Sequence, residues 1–158
     1  MQALVVYSGH DARKLAEAVA GVLPEGSALK PAAEAPDPRG YDLVMIGFHA
    51  DDGRADAAAA AFFEKLNDCR TAFFFVMSDR PNSALARGVA DETKRLLESR
   101  GNVVVGHFSC RESDSEAAGG SSSVFQFDDD RLLVRAFAYD VLNQVSSRSS
   151  LAGGRALR

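Results

Sequence analysis

Short, unbroken apolar runs alternate along the chain with segments whose apolar residues recur every three to four positions. Ala3–Tyr7 (ALVVY), Asp42–Phe48 (DLVMIGF) and Thr71–Met77 (TAFFFVM) are runs of the first kind. They are rich in β-branched and aromatic residues and do not alternate with polar ones, which predicts strands buried on both faces. Asn102–Cys110 reads as a further strand and Ser27–Lys30 as a short edge strand. Between them, Ala12–Leu23 places Leu15, Val19, Val22 and Leu23 on one helical face. Ala55–Asn67 points Phe62, Phe63 and Leu66 inward, Ser83–Ser99 carries Leu85, Val89, Leu96 and Leu97, and Phe127–Val145 repeats Leu133, Phe137 and Val141 at intervals of four. Pro31–Gly40, His49–Arg54, Ser78–Asn82 and the Ser/Gly/acid stretch Arg111–Ser123 read as loops.

Strands that alternate with helices imply right-handed crossovers and a parallel sheet. The predicted architecture is a three-layer α/β/α domain over residues 1–145, with Ser146–Arg158 as a flexible tail. Its five parallel strands take the order 2-1-3-4-5. In such sheets ligands bind beyond the carboxyl ends of the strands, at the point where the strand order reverses. Three loops meet there: Ser8–Asp11, His49–Arg54 and Ser78–Asn82.

Composition narrows the class without naming a chemistry. The chain has 158 residues, 46% of them hydrophobic and 25% charged, as expected of one globular domain with its own core. No run of about 18 apolar residues is present, so no membrane span is expected. The first residues lack a basic signal region, and the predicted location is cytoplasmic. Net charge is −4. The segment Val145–Arg158 holds three arginines and no acid, so the rest of the chain sums to −7. That balance argues against nucleic acid and suits docking to a basic protein partner. Cys69 and Cys110 form no CxxC pair and should lie at opposite ends of the sheet. No GxSxG, GxxxxGK[ST] or GxGxxG signature occurs, which ranks hydrolases and nucleoside triphosphatases low.

The loops carry the candidate chemistry. Ser8-Gly9-His10-Asp11-Ala12-Arg13 leads from the first strand into a helix, where backbone N–H groups and the helix dipole favour a phosphate. Ser8 offers a hydroxyl, and Gly9 permits close approach of the backbone. His10 and Arg13 offer positive charge. Asp11 reads as the helix N-cap, which would occupy donors a phosphate needs and repel it. In the second loop His49 offers an imidazole for stacking, Phe48 ends the strand and points into the core, and Ala50 follows. Either Asp52 or Asp56 caps the next helix. In the third, Met77, Ser78, Asp79 and Arg80 face the same rim, and Asn82 or Ser83 caps the helix that follows.

The run VVYSG before a helix, together with YDLVMIGF and TAFFFVM, resembles the first, third and fourth strands of the flavodoxin family. The resemblance covers roughly residues 1–145 in element order. GFHADDGRAD is similar to a GFWxDxGxAD-like pattern of small flavodoxin-like proteins, including those that accompany a bilirubin reductase, and VVVGHFSC resembles the same group. The resemblance implies non-covalent FMN and electron transfer to a partner reductase. On that reading Ser8, Gly9, His10, Asp11, Ala12 and Arg13 hold the phosphate. Phe48, His49, Ala50, Met77, Ser78, Asp79 and Arg80 surround the ring. The family's phosphate loop resembles [ST]-x-T-G-x-T; here the loop is about one residue shorter and keeps one hydroxyl, and Ala12 stands where the last threonine is expected. No tryptophan is present. A second reading therefore stays open, a flavodoxin-like accessory module that has lost its flavin. A receiver-type signalling domain of the same strand order, with Asp11 and Asp51 as its acids, is a remote third.

Overall fold

The computed structural model describes residues 1–81, 83–111 and 121–156, with side chains left undescribed over 121–128 and 148–156. The elements run β1 (Ala3–Tyr7), α1 (His10–Ala20), β2 (Ala28–Pro31), β3 (Leu43–Asp51), β4 (Arg54–Ala55), α2 (Ala57–Phe63), β5 (Arg70–Met77), α3 (Ala84–Ser99), β6 (Val103–Arg111) and α4 (Ser121–Ala156). Two short 3-10 turns, Ala32–Glu34 and Pro38–Gly40, connect β2 to β3. Five strands form a parallel sheet in the order β2-β1-β3-β5-β6, and β4 pairs antiparallel with the end of β3. This is the expected doubly wound order with one small strand added.

The continuous apolar runs work because the residues of β1, β3 and β5 that form them face a helical layer on either side of the sheet. Ala3, Val5, Leu43, Met45, Ala72, Phe74 and Val76 pack with α1 and α4, whereas Leu4, Val6, Val44, Ile46, Phe48, Phe73 and Phe75 pack with α2 and α3. The second face is an aromatic stack. Phe48 lies against Phe75 at 5.5 Å and near parallel, and Phe63 meets Phe48 edge-on at 5.7 Å. At Gly47 an added Cβ would stand 2.2 Å from the Phe74 ring, so only glycine lets β3 pass that side chain.

Several expectations about helices shift by a residue or a face. In α4 the inward residues are Val134, Ala138, Val141, Leu142 and Val145, with Phe137 partly covered, while Leu133 is 55% exposed. In α3, Ala86, Val89, Ala90, Thr93 and Leu97 are buried and Leu85 and Leu96 are exposed. In both cases the docked face is the one whose smaller residues let the helix approach the sheet. The periodicity of the largest apolar side chains points to a different face. Helix α2 is shorter than expected because Arg54 and Ala55 join the sheet and Lys65 and Leu66 close tighter turns onto Phe62 and Phe63. Backbone helix also continues through Ser146–Ala156, where a tail was expected, since no proline interrupts its local hydrogen bonds. Of the Arg111–Ser123 loop, residues 112–120 lie outside the described residues, as does Asn82. Among the described residues no helix is long and apolar enough to cross a membrane.

Candidate functional site

The carboxyl ends of β1 and β3 lie side by side, with Tyr7 level with Gly47, and the chain leaves each of them differently. After β1, the amide of Ser8 donates to the Gly47 carbonyl (2.9 Å), and Gly9 at φ +93° turns directly into α1. That turn leaves no residue to serve as the expected aspartate cap. Gly9 itself is the N-cap and no side chain bonds the helix end. Asp11 falls inside the first turn instead. The first helical bond runs from Arg13 N to Gly9 O, so the amides of His10, Asp11 and Ala12 have no intrahelical acceptor. An added Cβ on Gly9 would sit 3.5 Å from the His49 Cβ, which brings the first loop and the end of β3 into contact.

After β3 the chain makes a hairpin rather than the expected loop. Asp51 pairs with Arg54, and the two residues between them, Asp52 (φ 51°) and Gly53 (φ 76°), both adopt the positive φ of a type I′ turn. The hairpin delivers Asp56 to the start of α2. Asp56, rather than Asp52, caps that helix through Ala59 N to Oδ1 (2.9 Å). It also accepts the backbone N–H of His49 on Oδ2 (3.1 Å) and the Ser8 hydroxyl on Oδ1 (2.6 Å). One half-buried carboxylate thus ties the first loop, the end of β3 and α2 together. The local part of this role, an aspartate before an alanine run, was visible in the sequence. The link to Ser8, 48 positions away, was not.

The remaining predicted residues divide by burial. Phe48, Ala50 and Met77 are buried on the α2–α3 side, so their side chains are withdrawn from the rim and belong to the core; strand alternation puts them there. Ala12 is likewise fully buried, under α1, and offers only its amide. Arg13 lies along the flank of α1, bonded to Glu17 (3.1 Å) and over the Tyr7 ring at 5.9 Å. His10, Ser78 and Arg80 are exposed, His49 and Asp79 half-buried. Asp79 accepts the amide of Arg80 (2.8 Å), a bond local to the loop, and Ser83 caps α3 by accepting from Ala86 N (3.1 Å). What the fold brings together is therefore Ser8, Gly9, the α1 amides, His49 and Asp56. Ser78, Asp79 and Arg80 follow β5, the neighbouring strand.

Near the same end, Cys110 on β6 is buried, and burial pushes its thiol pKa up, helped by the carboxylates of Asp130 and Asp11. Asp130 on α4 is 8% exposed, and its Oδ2 has no partner. Burial, with Asp129 adding repulsion, raises its pKa to about 6. Among the described residues no cluster of histidine, cysteine and carboxylate side chains is arranged to hold a metal.

An open groove of about 1080 Å³ lies at the other end of the sheet. Its lining includes Asp37, Arg39, Tyr41, Lys65, Cys69 and Arg70. It sits at the amino ends of β3 and β5, away from the strand order reversal, and Asp37 and Arg39 pair with each other there (2.7 Å). Cys69 opens onto this groove, so the two thiols do lie at opposite ends.

The family model described as a flavodoxin domain matches residues 4–116, more than half of the chain. No curated protein matches. Among solved structures, the chain is similar to oxidised flavodoxin 1 from Bacillus cereus (18% identity, 90% of this chain and 98% of that one, TM-score 0.62). It is similar to the flavodoxin of Streptococcus pneumoniae TIGR4 (12% identity, 91% and 99%, TM-score 0.61). A flavoprotein in complex with FMN from Lactobacillus acidophilus NCFM also aligns (15% identity, 74% and 96%, TM-score 0.54).

Proposed function

This chain belongs to the flavodoxin family, and from that premise we propose that it binds a flavin non-covalently, FMN being the family's expected cofactor, and passes electrons to a partner reductase. The observation that carries the reading is the uncapped amino end of α1 beside His49, at the carboxyl ends of β1 and β3. Open amides at a helix start suit a polar or anionic tail, and the close approach that Gly9 permits suits contact through the backbone. Residues of this chain fit a flavin there in a particular way. The amides of His10, Asp11 and Ala12 would hold the ribityl end, and the His49 imidazole is the ring-stacking group that the second loop supplies. A bound flavin supplies the electron-transfer chemistry. The chain's part is to position it, cover it and set the charge around it. The acidic body, −7 outside the arginine-bearing end, favours a partner with a basic docking face.

Addition of FMN to the purified chain, followed by flavin fluorescence, tests this directly. Quenching with a saturable curve supports it, and no change at tens of micromolar rejects it. One observation favours the second reading, an accessory module without cofactor: the Ser8 hydroxyl, the one such group in the first loop, is turned to Asp56. A colourless protein that quenches no flavin is the outcome that reading expects.

A further inference from the structure

At the α1 end of the crevice the hydroxyl available is that of Ser8, and its proton is already engaged. Ser8 Oγ donates to Asp56 Oδ1 at 2.6 Å. A hydroxyl has one proton, so toward anything approaching the start of α1 Ser8 presents lone pairs alone. Asp56 is held in place by two further donors, the amides of His49 and Ala59, so the bond to Ser8 belongs to a fixed three-way clamp. A second carboxylate, Asp11, stands in the first turn of α1.

This arrangement has a charge preference. A phosphate monoester carries close to two negative charges at neutral pH and offers acceptors only. In this crevice it would meet the α1 amides, which attract it, together with two carboxylates and an accepting hydroxyl, which do not. An uncharged chain of hydroxyl groups meets no such conflict. It accepts from the α1 amides and donates to Ser8 Oγ or to a carboxylate.

We propose that the crevice does not select the phosphorylated flavin, that it takes riboflavin about as well as FMN, and that Asp56 sets this preference by holding the Ser8 proton. Asp56 is a positioning residue, acting through Ser8. The inference rests on the flavin reading above and deepens it by naming the charge class of the ligand.

Titration of the purified chain with FMN and with riboflavin, each followed by flavin fluorescence at low ionic strength, measures the preference. The two dissociation constants should agree within about tenfold. Asp56→Ala removes the charge and both acceptor oxygens, so it releases the Ser8 proton, at the cost of the α2 cap. In that variant FMN should tighten by at least about tenfold and riboflavin change by less than about threefold. Adding Ser8→Ala to Asp56→Ala should remove most of the FMN gain, a result that a change in fold or charge alone does not produce.

FMN bound about a hundredfold or more tighter than riboflavin by the natural chain overturns the inference. So does an Asp56→Ala variant whose FMN to riboflavin ratio is unchanged, or a double variant that keeps the full gain. Each of these leaves the flavin reading standing. Quenching of neither flavin overturns both. Should Asp56→Ala lose its far-ultraviolet circular dichroism, the ratio measured on the natural chain decides.

Discussion

Each end of the sheet is held by one short polar side chain, and the two clamps are chemically different. At the amino end, Asn102 is 4% exposed. Its amide oxygen accepts from Cys69 N (3.0 Å), and its NH2 donates to the carbonyls of Leu66 (3.0 Å) and Leu97 (2.9 Å). The turn after α2, the start of β5 and the end of α3 are thereby joined by a neutral group that both gives and receives. At the carboxyl end, Asp56 joins three segments as well, but it is half-buried, charged and accepts only. A neutral amide can be sealed from water because both of its N–H groups and its oxygen find partners internally. A carboxylate clamp draws donors toward itself and leaves the surrounding crevice electronegative. The amino end is built for closure; the carboxyl end keeps a charge at the rim, where it can act on a ligand.

That contrast is tested first by deleting each clamp. Asn102→Ala takes the partner from the half-buried amide of Cys69 and from the buried carbonyl of Leu66 and should lower stability by about 2–4 kcal/mol in urea unfolding. Asp56→Ala loses the α2 cap at a half-wet site where water can replace the side chain, and should cost about 1–2 kcal/mol. Equal losses would erase the distinction between a sealed and a wet clamp.

The rim's other buried carboxyl sharpens the comparison through pH. The Asp130 pKa is raised from 3.8 to about 6. Between those values the folded state holds more protons than the unfolded one, so stability should fall as pH rises through that window and level off above it. Asp130→Asn should remove that slope and leave the protein more stable at pH 7 by about 1 kcal/mol, measured by thermal unfolding across pH. A slope unchanged in the variant would assign it to another group.

The smallest perturbation changes no residue. A thiol reagent applied to the native chain should label Cys69, which is half-buried, and spare Cys110, which is 1% exposed; denaturant should expose both. Because burial holds the Cys69 thiol pKa above its ordinary value, native labelling should be slow at neutral pH and speed up as pH rises. Labelling of both thiols in the native chain would show that the β6 end is more open than its packing implies.

Local chemistry made much of this molecule legible. The continuous apolar runs required strands covered on both faces, and their alternation with helices required a parallel sheet. Ser83 and Asp56 were readable as caps because a cap depends on the three residues after it. The Asp52-Gly53 pair carried the signal of a two-residue hairpin turn, although the segment reads as a loop when polarity alone is weighed. The helix faces were less legible. Whether Leu133 or Val134 turns inward is decided by how closely α4 can approach β6 and α1, a distance no local pattern contains.

The sequence by itself determined the order of the five parallel strands and the helices between them, the two-faced burial of the central strands and the end of the sheet from which the loops leave, because those follow from periodicity and handedness along neighbouring residues. Tertiary structure alone decided that Gly9 rather than Asp11 opens α1 and that the Ser8 proton points at a carboxylate from a distant helix. A hydrogen bond between residues far apart in the chain depends on the relative placement of two strands and a helix start, and that placement exists only once the sheet has formed.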